Sequence, residues 1–455
     1  MLNKTIAAIS TAHGKGGVAV IRISGDDALE IGKRVVRTKS NNLEPRKCYY
    51  GEILRDGDII DDGILTYFKA PNSFTGEDVC EICCHGGIYV TQAVLESVLS
   101  QGAEMASAGE FTRRAYINGK LTLSRAEAIG NVIDARTDSQ LRLSSSQARG
   151  ALSKRIEGVR EKMLSLISHA YATVDYPDED IEDATREEMA STLNQVCSEL
   201  EALKKSYRAG RAVCEGIKTA IVGKPNAGKS SLYNMLLHDN VAIVTDIAGT
   251  TRDVIEHTAS LGGVTLNLAD TAGIRNSQDT VEKIGIERAK EKIADSELLL
   301  CVFDQSVRET DEDRFILESA RGKSAIAIIN KTDTPPAISQ SFIDEINKIC
   351  LKTVYISAKN QKGYEELAST VEGLYSLGEI DLSNDGIVSN ARQFSSVSLA
   401  LDEAINAREA LDFGQTPDIV LFALEKALSD LDMIDAKGAS EEIVNTIFAR
   451  FCVGK

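Results

Sequence analysis

The sequence predicts a multidomain α/β protein in which an α/β domain divides a helical domain, with an α+β domain at the N-terminus. Three observations predict this. Strand-like alternation dominates residues 1–118, and apolar residues recur at helical spacing in 119–215 and again in 379–455. Buried-strand patterns return in 216–378. At about 150 residues per domain, 455 residues suffice for two to four domains.

Residues 1–118 carry the patterns of an α+β domain. Strands are expected at 5–10 and 18–23, around the glycine-rich turn 14–17. That turn is not a phosphate-binding loop, because it lacks a GK[ST] ending and leads into a strand. Further strands are expected at 49–54, 59–68 and 79–84, and helices at 27–36 and 88–100.

The strand predicted at 79–84 has two unusual features. A cluster of metal-ligating residue types either supplies small buried thiols to the core or binds a metal: Cys80, Cys83, Cys84 and His85. The thiol interpretation is favoured, because a second CxxC motif does not occur. Glu81 is a carboxylate among apolar neighbours, and a buried charge of this kind normally has a partner or a ligand.

Residues 119–215 and 379–455 are predicted to form the two halves of the helical domain. No proline occurs between Pro71 and Pro177, which suits long helices. Helices are expected at 186–209, 391–411, 417–431 and 441–451. Because the domain at 216–378 separates the halves, a conformational change within it would move the helical body.

The inserted domain opens with Gly223-Lys224-Pro225-Asn226-Ala227-Gly228-Lys229-Ser230, which matches the phosphate-loop pattern GxxxxGK[ST]. A predicted strand at 219–222 precedes this loop and a predicted helix at 231–237 follows it. In that context backbone N–H groups and the helix N-terminus point at phosphate oxygens. Lys229 would reach the outer phosphates, and the Ser230 hydroxyl can ligate Mg²⁺.

Three further motifs follow predicted strands. The strand at 266–269 leads into Asp270-Thr271-Ala272-Gly273, the strand at 324–329 into Asn330-Lys331-Thr332-Asp333, and Tyr355-Ile356 into Ser357-Ala358-Lys359. The Asp333 carboxylate can accept hydrogen bonds from N1–H and the 2-amino group of guanine, two donors that adenine lacks. The motifs predict a GTP-binding domain with these contacts: Asn226, Ala227, Gly228, Lys229, Ser230, Ser231, Thr245, Asp246, Ile247, Ala248, Gly249, Thr250, Thr251, Asp270, Thr271, Ala272, Gly273, Asn330, Lys331, Asp333, Ser357, Ala358 and Lys359.

Two features of the inserted domain bear on hydrolysis. Ile274 stands directly after DTAG, where Ras-like enzymes place a water-orienting Gln, and Arg252 is the nearest candidate for an arginine finger. The segment 245–251 is polar and exposes backbone, and Asn226 adds an amide oxygen. Carbonyl and amide oxygens suit a large monovalent cation, which would supply the positive charge of an arginine finger. This cation site is a hypothesis.

Composition limits the partners. With a net charge of −17, the overall electrostatic field of the chain repels nucleic acid. No DNA partner is therefore expected, and an RNA contact would need a local basic patch. One candidate patch is residues 119–162, which hold nine Lys and Arg against five Asp and Glu. These residues form either a solvated helix face, which is the favoured interpretation, or an RNA contact. Without a membrane-length apolar run, a signal-peptide block or regular Cys spacing, a soluble cytoplasmic protein with reduced thiols is expected.

The chain resembles the MnmE/TrmE family of tRNA-modification GTPases over essentially its whole length. The resemblance is carried by NSFTGEDVCEICCHGG, NGKLTLSRAEAI, DYPDED, GKPNAGKSS, VAIVTDIAGTTRD, DTAGIR, VEKIGIERA and the terminal Cys452-Val453-Gly454-Lys455. Two departures are small: Val453 replaces a frequent Ile, and Cys83-Cys84 replaces a polar pair. The resemblance implies a folate-binding-like N-terminal domain, a discontinuous helical domain and an inserted Ras-like P-loop GTPase domain.

The resemblance also implies residue roles. Potassium would be held by Asn226, Thr245, Ile247 and Thr250, and magnesium by Ser230 and Thr251. Glu282 would orient the attacking water. Arg22, Glu81 and Lys120 would contact 5-formyl- or 5,10-methylene-tetrahydrofolate, and Lys455 would close the pocket. Cys452 is either a catalytic nucleophile or a terminal thiol packed near the folate.

The implied function is that of a potassium-dependent GTPase, a homodimer that joins an FAD-dependent partner subunit in a heterotetramer. It would add a folate-derived aminomethyl or carboxymethylaminomethyl group to C5 of the wobble uridine (U34) of tRNA. The chain lacks the dinucleotide fingerprint needed to bind FAD itself. Two alternatives are a ribosome-assembly GTPase without folate chemistry and a folate-dependent enzyme that its GTPase domain only regulates.

Overall fold

A computed structural model describes residues 4–40, 42–175, 186–238, 257–268, 293–435, 441–449, 451 and 453–454. Contacts divide the chain into two compact units, one formed by residues 1–130 with 432–455 and the other by residues 131–431. The four predicted domains, 1–118, 119–215, 216–378 and 379–455, have boundaries that remain predictions.

The first unit contains a seven-stranded sheet in the order β3-β4-β5-β6-β2-β1-β7. Its strands are β1 Ile6–Ile9, β2 Val18–Ser24, β3 Val36–Thr38, β4 Cys48–Arg55, β5 Asp58–Phe68, β6 Val79–His85 and β7 Glu104–Met105. The neighbours are antiparallel except for β1 and β7. Its first helices are α1 Ala28–Val35, α2 Ile88–Ser100 and α3 Glu110–Ile117, and α4 Leu123–Asp134 follows.

Residues alternate along the strands, so that one face of this sheet is covered by helices and the other is partly exposed to solvent. Ile21 and Ile82 point into a hydrophobic core that α1 and α2 cover. Cys80 and Cys84 lie in the same core, and burial raises the pKa of Cys80 to about 12 and of Cys84 to about 11. These two thiols are therefore neutral core residues.

The second unit contains a six-stranded sheet in the order β13-β12-β11-β8-β10-β9, parallel except for the antiparallel β9. The strands are β8 Ile217–Val222, β9 His257–Leu261, β10 Val264–Leu268, β11 Leu298–Asp304, β12 Ser324–Asn330 and β13 Lys352–Tyr355. The helices that precede the sheet are α5 Asp138–Ala148, α6 Ala151–Asp175 and α7 Arg186–Cys214. Helices α8 Lys229–His238, α9 Asp311–Ser319, α10 Gln340–Ile349 and α11 Tyr364–Leu374 alternate with its strands, and a 3-10 turn follows at Leu377–Glu379.

The chain ends in α12 Ala391–Asp412, α13 Pro417–Asp432 and, in the first unit, α14 Glu441–Phe448. Helix α7 runs to Cys214, although the sequence predicted its end at residue 209 because Gly210 follows. Gly210 instead lies within the helix, where an added Cβ would be 2.2 Å from the carbonyl oxygen of Val388. This glycine therefore permits a close approach and does not end the helix.

Helices α5 and α7 share a hydrophobic core with the sheet of the second unit. Leu143 of α5 and Val213 of α7 pack in one cluster with Leu266 of β10. The Thr265 hydroxyl also donates to the carbonyl of Val213 at 2.8 Å. Strand β10, which leads towards the DTAG motif, is thus fixed to the helices. Among the helices described, none combines the length and apolarity needed to cross a membrane.

Candidate nucleotide-binding site

The P-loop connects the end of β8 to the start of α8. Its backbone takes left-handed conformations at Asn226 (φ 62°) and Gly228 (φ 101°). A Cβ at Gly228 would lie 2.0 Å from Nδ2 of Asn330, and one at Gly223 would lie 2.6 Å from the carbonyl oxygen of Val302. Close packing therefore requires glycine at both positions. Helix α8 begins directly after the loop, so its N-terminal N–H groups are available to bind an anion there.

Lys229 is the first residue of α8, and its ammonium folds back over the loop. Nζ donates to the carbonyls of Gly223 at 2.7 Å and Lys224 at 2.8 Å. Burial lowers the pKa of Lys229. A phosphate group would supply the negative charge that these neutral partners do not. Ser230 and Ser231 are exposed in the first turn of the same helix, where a phosphate or a metal can reach their hydroxyls.

Asn330, at the end of β12, joins two of the predicted motifs. Its Nδ2 donates to the carbonyl of Ala227 at 3.0 Å, and its Oδ1 accepts from the N–H of Ala358 at 3.1 Å. The side chain is almost fully buried. The structure thus brings together the P-loop, the NKTD motif and the SAK motif.

Asp333 lies beside this junction and is exposed. The Ser357 hydroxyl donates to its Oδ1 at 2.6 Å and, with the nearby Lys359, holds the pKa of Asp333 below its usual range. The carboxylate is therefore ionised and ready to accept two hydrogen bonds from a nucleobase edge.

Lys331 is supported by a residue that none of the motifs predicted. Asp304, at the end of β11, accepts from Nζ of Lys331 through Oδ2, and from both N–H and Oγ of Ser306 through Oδ1. Burial acts to raise the pKa of Asp304, but these hydrogen bonds outweigh it and hold the pKa below its usual value. The apolar run 298–303 before Asp304 was the available signal, since polar residues at strand ends often line sites.

Several predicted site residues lie outside the part of the chain that the structure describes. They are Thr245, Asp246, Ile247, Ala248, Gly249, Thr250, Thr251, Asp270, Thr271, Ala272, Gly273, Glu282, Cys452 and Lys455. The parts of the predicted potassium and magnesium sites that are described are Asn226 and Ser230. Both are exposed at the P-loop, and both carry a neutral oxygen that suits a hard cation.

A second polar site lies in the first unit, where Arg22 of β2 faces Glu81 of β6 in register. Nε and Nη2 of Arg22 both lie 2.9 Å from Oε1 of Glu81. The guanidinium also lies 5.4 Å from the ring centroid of Phe74 and 5.7 Å from that of Phe111. Glu81 therefore has the partner that its mid-strand position required, and both side chains keep part of their surface open.

Lys120 contacts the loop between β5 and β6. Its Nζ donates to the carbonyl of Pro71 at 2.9 Å, at the start of the loop that carries Phe74. The structure thus brings Arg22 and Glu81 together, and it places Lys120 against that loop. Aromatic and charged groups of this kind suit a flat heteroaromatic ligand with polar edges.

The C-terminal tail packs on the first unit beside β1. Val453 forms an antiparallel bridge with Ala108, and the Ser10 hydroxyl donates to the carbonyl of Gly454 at 3.0 Å. Gly454 has φ 98°, and a Cβ there would lie 2.1 Å from the carbonyl oxygen of Ile9. The tail therefore needs glycine at this position to approach the strand.

The cysteine cluster predicted in β6 does not form a metal site among the residues described. The group that could hold an ion there is Asp61, Asp62 and His85. Asp61 accepts from the backbone N–H of His85 at 2.9 Å and lies 2.7 Å from its Nδ1. The contact with Asp61 raises the pKa of His85 and orients its imidazole.

The basic residues between 119 and 162 are largely engaged within their own helices or with neighbours. Arg142 pairs with Asp138 at 2.8 Å, and Arg160 with Glu157 at 3.2 Å. Arg155 donates to the carbonyl of Gly386 at 3.0 Å. These contacts favour the interpretation of this stretch as solvated helix faces over that of an RNA contact.

Comparison with known proteins gives matches along the whole chain. The family model of the MnmE helical domain matches residues 123–452, and that of the GTP-binding protein TrmE N-terminus matches residues 5–120. The chain is 41% identical over 461 residues to the tRNA modification GTPase MnmE of Thermoanaerobacter pseudethanolicus, with all of both chains covered. It is 40% identical over 461 residues to that of Clostridioides difficile, again with both chains fully covered.

Among solved structures, the G domain of the T. maritima FeoB iron transporter covers 35% of this chain and 98% of its own, at 24% identity and a TM-score of 0.25. A score this low carries no weight beside the family matches. The family matches confirm the resemblance found in the sequence and the predicted fold class, with an N-terminal TrmE domain and a helical MnmE domain in a mixed α/β chain.

Proposed function

The chain belongs to the MnmE family of tRNA modification GTPases, and from this membership we propose that it hydrolyses GTP as part of the modification of tRNA. The observation that carries the nucleotide part is the position of Asn330. This buried side chain holds the P-loop and the SAK motif together, with the ionised Asp333 beside them.

The site residues divide the recognition of GTP between them. Asp333 accepts hydrogen bonds from the guanine edge, and Ser357 orients its carboxylate. Lys229 exchanges its carbonyl partners for the outer phosphates, while the N-terminus of α8 binds phosphate oxygens. Ser230 and Thr251 would hold Mg²⁺, which would neutralise charge on the phosphates.

Potassium dependence is the second part of the proposal. Asn226, Thr245, Ile247 and Thr250 would hold K⁺, and Glu282 would orient the attacking water in place of the Gln that Ile274 replaces. The cation would take the place of an arginine finger at the developing charge. Asn226 supports this proposal because its left-handed backbone places an exposed amide at the P-loop.

Folate binding is the third part. A formyl- or methylene-tetrahydrofolate would contact Arg22, Glu81 and Lys120, and Lys455 would close the pocket. The carboxylate of Glu81 can accept from paired donors on a pterin edge, and the exposed ring of Phe74, which lies against Arg22, offers apolar surface nearby. The packing of Val453 and Gly454 beside β1 supports a role for the tail in the same unit. Cys452 would be a nucleophile or a packed thiol.

The complete enzyme would be a homodimer that joins an FAD-dependent partner subunit in a heterotetramer. There it would add a folate-derived group to C5 of the wobble uridine of tRNA. The test is mass spectrometry of tRNA nucleosides from cells with and without the gene. We expect aminomethyl-type C5 groups to vanish on deletion and to return with the intact gene, but not with Lys229→Ala. Unchanged nucleosides would overturn the tRNA assignment and leave the GTPase assignment standing.

A further inference from the structure

A buried ion pair joins the P-loop to helix α9. Nζ of Lys224, the residue after the first motif glycine, donates to Oδ2 of Asp313 at 2.7 Å. The Lys224 side chain is 12% exposed and that of Asp313 only 3%. Burial to this degree distinguishes the pair from the surface ion pairs of the same unit, because water screens it little.

Asp313 is also held in place by hydrogen bonds from its own helix terminus. Its Oδ2 also accepts from the N–H and the hydroxyl of Thr310, both at 2.9 Å, in a capping box at the start of α9. The helix N-terminus favours a negative charge at this position. Among the residues described, Oδ1 of Asp313 is buried without a hydrogen-bond partner. The only cationic partner recorded for this carboxylate there is the ammonium of Lys224.

The backbone of Lys224 in turn supports the phosphate-binding lysine. Its carbonyl accepts from Nζ of Lys229 at 2.8 Å and from the N–H of Ala227 at 3.3 Å. A shift of Lys224 would therefore move both the loop backbone and the group expected to bind the outer phosphates.

We infer that Asp313 is a positioning residue for nucleotide binding, which acts through Lys224 to hold the P-loop in its phosphate-binding form. This inference rests on the proposed GTP-binding function. Asp313 touches no nucleotide in this scheme. Its effect is to keep the loop ordered before the nucleotide arrives, so that binding does not have to order it.

The test uses the full chain with three variants and a matched control. Asp313→Asn keeps an oxygen that can accept from Thr310 but removes the charge. Lys224→Met removes the opposite charge, and Lys224→Arg retains it. Glu318→Gln, which removes the exposed ion pair between the last turn of α9 and Arg321 just beyond it, serves as the control.

The readouts are the affinity for a fluorescent GDP analogue and the kcat and KM of GTP hydrolysis. We expect Asp313→Asn and Lys224→Met each to weaken GDP binding on the order of tenfold, since each leaves a buried charge unpaired. KM should rise while kcat changes little, because a preorganised loop binds ground state and transition state alike. Lys224→Arg and Glu318→Gln should stay within about threefold of the wild type.

A merely structural role would lower the folded fraction, and with it kcat, at unchanged KM. That pattern, or wild-type GDP affinity in Asp313→Asn, would overturn the inference and leave the proposed function intact. Failure of the wild-type chain to bind GDP would instead contradict the proposed function itself.

Discussion

Asn330 donates from Nδ2 to the carbonyl of Ala227, 3.0 Å away and 103 positions earlier in the sequence. Its Oδ1 accepts from Ala358, so both halves of one buried amide are used by separate loops. This arrangement makes the P-loop and the SAK motif dependent on each other. A nucleotide that binds one loop therefore finds the other already in place.

The first prediction concerns that amide. Asn330→Ala leaves a buried carbonyl and a buried N–H unpaired, at a cost of about 1–3 kcal/mol for each group. We expect lower thermal stability and a loss of GDP affinity together, measured by thermal melts and by fluorescent GDP binding. Asn384→Ala, which removes an exposed hydrogen bond to Asp381, is the control and should change neither quantity. Wild-type binding in Asn330→Ala would contradict the coupling of the loops.

The second prediction concerns the base. Asp333→Asn replaces two acceptors with one acceptor and one donor, a pattern that matches xanthine and not guanine. We expect GDP affinity to fall by at least about a hundredfold and affinity for xanthosine diphosphate to appear, because a site built for one pattern rejects the other strongly. Competition of both nucleotides against a fluorescent analogue measures this exchange. Retained GDP preference would show that Asp333 does not contact the base.

The sequence predicts the P-loop and its flanking strand and helix, because this motif fixes its own backbone. Gly228 and Asn226 follow from the loop pattern, and the structure shows why: both residues have positive φ. The flanking β8 and α8 were also predicted, from an apolar run and from the helix-forming residues after Lys229. Local chemistry and local geometry agree throughout this stretch.

The contacts between the motifs could not be predicted in the same way. Asp304 meets Lys331 across 27 positions, and Lys224 meets Asp313 across 89. Nothing in the local periodicity marks such pairs, because strand order in the sheet brings them together. Strand β3 was missed for a different reason: with three residues it is too short to show alternation.

The third prediction tests potassium. Asn226→Gly removes the amide oxygen but adopts positive φ without strain, so it separates the ligand from the backbone conformation. We expect the wild type to hydrolyse GTP faster in KCl than in NaCl at equal ionic strength, and the variant to lose this difference. The thermal stability of the variant serves as the control for folding and should change little. Equal wild-type rates in the two salts would refute the potassium proposal.

The fourth prediction tests the pocket around Arg22. Glu81→Gln keeps the shape of the side chain and one acceptor but loses the charge that pairs with Arg22. We expect 5-formyl-tetrahydrofolate to bind the wild type and to bind this variant on the order of tenfold more weakly, measured by isothermal titration calorimetry. Glu52→Gln removes an exposed ion pair with Arg37 in the same sheet and is the matched control. Absence of folate binding by the wild-type chain would contradict the proposal of a folate site.

The fifth prediction compares two glycines within helices. An added Cβ at Gly210 of α7 would meet the carbonyl oxygen of Val388 at 2.2 Å, whereas one at Gly158 of α6 meets nothing within 4 Å. Gly158→Ala should therefore stabilise the chain by up to about 1 kcal/mol through helix propensity. Gly210→Ala should destabilise it by about 1–3 kcal/mol, because the clash outweighs that gain. Urea unfolding of both variants measures the difference. If the two variants changed the free energy of unfolding equally, the backbone at Val388 would not pack against α7 as closely as the structure shows.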